Sequence, residues 1–128
     1  MQTFGMTIGG ETASADAHFD VINPATGLVF AQAPAYSPEQ LEETVQAAHA
    51  AFLTWQQDEG FRRERLVACA QALVANAERL GALATSEQGK PLAEAVADVH
   101  RSADWFRYYA GLELTPEVLS DTEEGYIE

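Results

Sequence analysis

Between Ser37 and Leu112 apolar residues recur at helical spacing almost without a break, and this restricts the fold more than any other feature of the sequence. Leu41, Val45, Ala48, Phe52 and Trp55 form one stripe and predict a helix over residues 38–56. Its start is complete: Ser37 can cap it, Pro38 suits its first turn, and Gln40 falls three residues after the cap. Leu66, Ala70, Leu73, Ala77, Leu80 and Ala84, with Val67 and Val74 beside them, predict a second helix from near Phe61 to Gly89. Gly81 lies inside that run and is expected to weaken or bend it, at a cost of ~1 kcal/mol relative to Ala. Pro91 opens a third helix, whose buried side is expected to carry Leu92, Val96, Val99, Ala103, Phe106 and Ala110. Trp105, Tyr108, Tyr109 and Leu112 widen this stripe beyond what one neighbour can cover.

The flanks read differently. Residues 1–36 look extended: Phe4 to Ile8 ends in Gly9-Gly10, a polar connector runs to about Ala17, and "HFDVINPATGLVFAQAP" follows. Phe19, Val21 and Ile22 favour one strand and Leu28, Val29 and Phe30 another. Between them Asn23 is held extended by Pro24, and Gly27 can take the positive φ of a tight return, which predicts a β-hairpin. After residue 112 the sequence "ELTPEVLSDTEEG" is acidic and turn-prone, and "GYIE" resumes a β-like pattern at the end. The segment is therefore expected to be mainly α, an N-terminal β-hairpin region (1–36) followed by three helices (37–112) and a connector leading into a strand (113–128).

Composition bounds the partners. The 128 residues are 47% hydrophobic, enough for one compact core that buries roughly two-thirds of the unfolded surface. The net charge of −13, from 20 acidic against 7 basic residues, disfavours nucleic acid and acidic membrane surfaces. A single cysteine excludes an intrachain disulfide, and the first residues carry neither a basic leader nor a long apolar run. The expectation is a soluble, cytoplasmic protein.

Few residues invite chemistry. "SEQGKPLAEA" places Gly89-Lys90 between two helices, where phosphates are often held. A P-loop needs a glycine five residues earlier and Ser or Thr after the lysine, but Ala84 and Pro91 occupy those places. Pro91 also lacks the N–H a phosphate would need, so the pair reads as helix punctuation. Arg62-Arg63-Glu64-Arg65 reads as a solvated helix start. Cys69, within "LVACAQAL", reads as a small buried hydrophobe with no cation on its face, not as a nucleophile. His18, His49 and His100 show no metal-ligand spacing, and Glu42-Glu43 and Glu123-Glu124 read as surface. These residues alone make no catalytic or cofactor-binding site.

The order of motifs is more informative. "FDVINPATGLVFAQAP", the Ser37-capped helix ending in Phe52-x-x-Trp55, "RRERL", "SEQGKPLAEA" and "DWFRYYAGL" follow one another at compact spacing. Over about Met6 to Leu112 the chain resembles the amino-terminal segment of the NAD(P)-dependent aldehyde dehydrogenase superfamily. The resemblance implies an α/β fold for the full-length protein, in which Gly-Lys-Pro joins two helices on the outside of the coenzyme-binding domain.

It also implies an oxidoreductase that turns a small aldehyde into a carboxylate with NAD or NADP. A cysteine thiolate would attack the carbonyl, hydride would leave to the nicotinamide, and glutamate-activated water would hydrolyse the thioester. In the family those groups, and the residues that hold the dinucleotide, lie beyond the point matching Glu128. The 128-residue chain is therefore expected neither to oxidise aldehydes nor to bind NAD or NADP. Its partners would be the remainder of the aldehyde dehydrogenase chain and further copies in a homo-oligomer. Some family members hold a structural monovalent cation through backbone carbonyls near the hairpin and a helix aspartate; by position these are Val21, Ile22 and Asp98. The alternative from a different class is a free-standing helical interaction module without catalysis.

Overall fold

The computed structural model describes residues 2–113, 117–123 and 125–127. Strands β1 (Gln2–Thr3), β2 (Met6–Ile8), β3 (Glu11–Ala13), β4 (Ala17–Asn23) and β5 (Leu28–Ala35) precede helices α1 (Pro38–Trp55), α2 (Glu59–Ala75), α3 (Ala77–Gln88) and α4 (Leu92–Gly111). Strands β6 (Ser120–Thr122) and β7 (Gly125–Ile127) close the chain as a short antiparallel pair. Part of the acidic connector expected after residue 112, at 114–116, and positions 124 and 128 lie outside the described residues.

The expected hairpin is β4–β5. The Asn23 carbonyl accepts from the Gly27 N–H at 2.8 Å, its side chain accepts from Ala25 N–H at 2.9 Å, and Gly27 takes φ 70°. Register slips between Val21, opposite Ala31, and Ile22, opposite Val29, leaving Phe30 as the extra residue of a bulge. β1 adds to β5 in parallel. Gly9 and Gly10, both with positive φ, close a second hairpin, β2–β3, where a mere connector was expected. Two consecutive left-handed positions are the requirement of a tight two-residue return, and glycine alone meets it twice without strain.

At α1 the cap forms as read: Gln40 N–H donates to Ser37 Oγ and Ser37 N–H to Gln40 Oε1, each at 3.2 Å. The Gln40 amide also donates to the Ser14 carbonyl, which ties the helix start to the segment after β3. Asp58 caps α2 through the Phe61 N–H at 2.9 Å.

Where one helix was expected from Phe61 to Gly89, the structure has two. The break is at Asn76, not at Gly81: Asn76 leaves the helical range at φ −113°, ψ 13°, and its side-chain amide donates to the Ala72 carbonyl at 2.8 Å. An amide that satisfies a terminal carbonyl lets the chain turn there without cost to α2. Gly81 serves another purpose. A Cβ on it would stand 2.5 Å from Val96 Cγ2, so its missing side chain lets α3 lie against α4.

The interior is made of methyl groups. The buried apolar residues are Ala31, Ala70, Ala77, Ala95, Ala103 and Ala110, and no larger described side chain is fully buried. α4 packs on both α2 and α3. Its buried side is centred on Ala95, Ala103 and Ala110, so Leu92, expected inside, stands 48% exposed. α1 buries none of its residues, and Leu41, Val45 and Phe52 of its stripe are exposed, as is Leu53 beside them.

Candidate functional site

The Gly-Lys-Pro element is built by helix termination. Gly89 takes the left-handed conformation at φ 73°, and its N–H donates to the Thr85 carbonyl at 2.9 Å, which ends α3. Pro91 then fixes the entry into α4. Gly89 also lies under the tip of the β4–β5 hairpin: a Cβ on it would meet Pro24 Cγ at 3.0 Å. Asn-Pro and Gly-Lys-Pro, far apart in sequence, thus touch. Lys90 points along α4, where its ammonium donates to Asp98 Oδ2, and Arg101 donates to Asp98 Oδ1. The lysine is engaged by a carboxylate of its own chain rather than turned to an open cradle.

The residues expected around a cation are distributed as follows. Val21 and Ile22 of β4 lie opposite the bulge at Phe30 of β5, and Val21 lines a cavity of about 170 Å³ with Phe4, Phe30, Leu83 and Glu87. Asp98 stands on α4 with both oxygens in ion pairs. Among the described residues no cluster of three His, Cys, Asp or Glu side chains could hold a metal ion.

Cys69 corrects an expectation. It is exposed on α2, in a groove of about 350 Å³ lined also by Leu73, Asn76, Arg79, Leu80 and Phe106. The neighbouring Ala70 takes the fully buried position, and a step of about 100° along the helix turns Cys69 outward. A cation does line its surroundings, Arg79, but the groove offers neither histidine nor carboxylate to act as base.

The basic run at the start of α2 is satisfied locally. Arg62 and Arg63 both pair with Glu59, holding its carboxyl below the usual carboxylate range, Arg62 contributing first. Arg65 lies over the Phe61 ring at 5.0 Å from its centroid. An open cleft of about 340 Å³ separates Trp55, Arg62 and Leu66 from Trp105, Phe106 and Tyr109. Trp105 and Tyr109 stack there with centroids 6.1 Å apart, and Trp105 remains 60% exposed. The excess width read in the third helical stripe is this uncovered aromatic end of α4. Sequence reasoning missed the Lys90–Asp98 pair and the groove at Cys69, because neither has a signal in local spacing.

Comparison with known proteins agrees with the motif order. The model of the aldehyde dehydrogenase family matches residues 11–124. A probable aldehyde dehydrogenase from a Pseudomonas species is 40% identical over 119 residues, 92% of this chain and 24% of that protein. Among solved structures, a point variant of betaine aldehyde dehydrogenase from Staphylococcus aureus, in complex with NAD+, superposes with a TM-score of 0.80 at 29% identity. The match covers 90% of this chain and 24% of that one. An NADP-dependent glyceraldehyde-3-phosphate dehydrogenase from Bacillus halodurans, complexed with NADP, gives 0.76 at 28% identity over 83% of this chain and 23% of that one. The chain thus spans about a quarter of the length of the relatives it matches. It belongs to the aldehyde dehydrogenase family.

Proposed function

We propose that this chain is the amino-terminal scaffold of the coenzyme-binding domain of an enzyme that oxidises an aldehyde to a carboxylic acid with NAD or NADP. The observation that carries the reading is the family match over residues 11–124, with Asn-Pro and Gly-Lys-Pro packed together as one structural joint. The single cysteine lies in a groove without a base, so the thiolate chemistry belongs to residues that the chain does not carry. By itself the 128-residue chain is inactive and binds neither dinucleotide. The proposed setting is the cytoplasm; no described helix is long and apolar enough to cross a membrane. Titration with NAD and NADP while following the melting temperature tests this, together with an assay for aldehyde-dependent NADH formation. Neither should respond; saturable binding at micromolar dinucleotide overturns the reading.

The uncovered stripes of α1 and α4 favour a second reading, a helical interaction module without catalysis. Both readings put a protein surface over these residues: the remainder of the aldehyde dehydrogenase fold, or a second copy of the chain. Sedimentation at several salt concentrations follows the second copy, because screening of a net charge of −13 should strengthen self-association. A monomer at high protein and high salt removes it.

A further inference from the structure

The resemblance places a monovalent cation at the Val21 and Ile22 carbonyls and the Asp98 carboxylate, and the side chains present do not fit that ion. Both Asp98 oxygens already accept charge-assisted hydrogen bonds, one from Lys90 and one from Arg101. A third positive charge would have to share the carboxylate with both of these donors and sit close beside them. Like charges a few ångströms apart repel, and at a site only partly exposed that repulsion is incompletely screened, so uptake of the ion is disfavoured.

We infer that the Lys90 ammonium is itself the cation of this site. It is covalently adjacent to Gly89, the residue against which the Pro24 ring packs. Binding Asp98 therefore fixes the α3–α4 turn on α4 and, through Gly89, the seat of the hairpin tip. A cation tethered one residue from its point of use needs no uptake from solution, so the joint is set whatever the monovalent ion present. Added salt can then act on it only by screening, to the same extent for every monovalent salt.

The test is thermal unfolding of the chain by far-UV circular dichroism in KCl, NaCl and choline chloride at equal ionic strength. The three midpoints should agree to within about 1 °C. A double-mutant cycle of Lys90→Met and Asp98→Asn tests the pair. Each single change should lower the midpoint by about 2–4 °C, and the double change by less than the sum. A saturable rise specific to K+ or Na+ in the unmodified chain overturns the inference, and so do losses that add fully. The ion comparison needs no variant, so it decides even if a substituted chain fails to fold.

Discussion

The guanidinium of Arg63, in the first turns of α2, donates from Nη2 to the carbonyl oxygen of Leu112 at 3.0 Å, immediately after the last residue of α4. The same side chain holds Glu59 through Nε at 2.9 Å. One arginine thus joins the positive end of one helix to the negative end of an antiparallel neighbour, whose terminal carbonyls would otherwise face water. Replacing it with Met should cost about 1 kcal/mol, because hydrogen bonds to charged groups are worth more than neutral ones but this one is partly exposed. Amide exchange should rise in the last turn of α4. Arg63→Lys should recover little, since an ammonium cannot reproduce the forked geometry. Unchanged exchange at 109–112 in Arg63→Met would show that the bond does not hold the helix end.

Gly81→Ala should destabilise despite the better helix propensity of Ala. Propensity offers about 1 kcal/mol in favour, while overpacking against Val96 costs about 1–3 kcal/mol. Combining it with Val96→Ala should return part of the loss, and denaturant unfolding of the two singles and the double measures this. Stabilisation by Gly81→Ala alone would refute the close approach of α3 to α4.

The pH response of the α2 start follows from Glu59. Its folded carboxyl lies below the ordinary value of 4.5, through hydrogen bonds first from Arg62 and then from Arg63. The associated stability is fully present above that ordinary value and is lost as pH falls through the lowered folded one. Glu59→Gln should therefore flatten the acid limb of the unfolding profile below about pH 4.5, with little change in its slope near neutrality. An acid limb identical to that of the unmodified chain would dissociate Glu59 from the effect.

Cys69, exposed beside Arg79, should react with a small alkylating reagent in the folded chain. Intact mass should show one adduct per chain without denaturant, and circular dichroism should be unchanged. Cys69→Ala in a full-length enzyme carrying this segment should leave turnover within a few-fold. Protection from alkylation until unfolding would place the thiol back in the interior.

Much of this architecture is written in local signals. Ser37, Pro38 and Gln40 act within one turn of chain, so α1 begins where they say. Asn23, Pro24 and Gly27 likewise determine their hairpin by their own backbone preferences. The misreadings arise where a distant partner decides. Gly81 looks like a helix breaker until Val96 lies across it, while Asn76 looks unremarkable until its amide finds Ala72. Cys69 and Ala70 are both small and apolar, but only Ala70 lies on the stripe with Leu66 and Leu73, and it is the one inside. The site is legible at one remove: motif order identifies the family, yet Lys90 meets Asp98 eight residues on, a contact that no residue pattern announces.

An interior of alanines inverts the usual sensitivity to substitution. Cutting side chains back to Ala, the standard probe of a core, has nothing to remove at Ala70, Ala95 or Ala103. These positions resist growth instead, because an added methylene there has no solvent to extend into and must be fitted between packed neighbours. Variation in this segment should therefore be limited by how close its helices can come, and a survey of large-to-small changes would pass over the residues that set that distance.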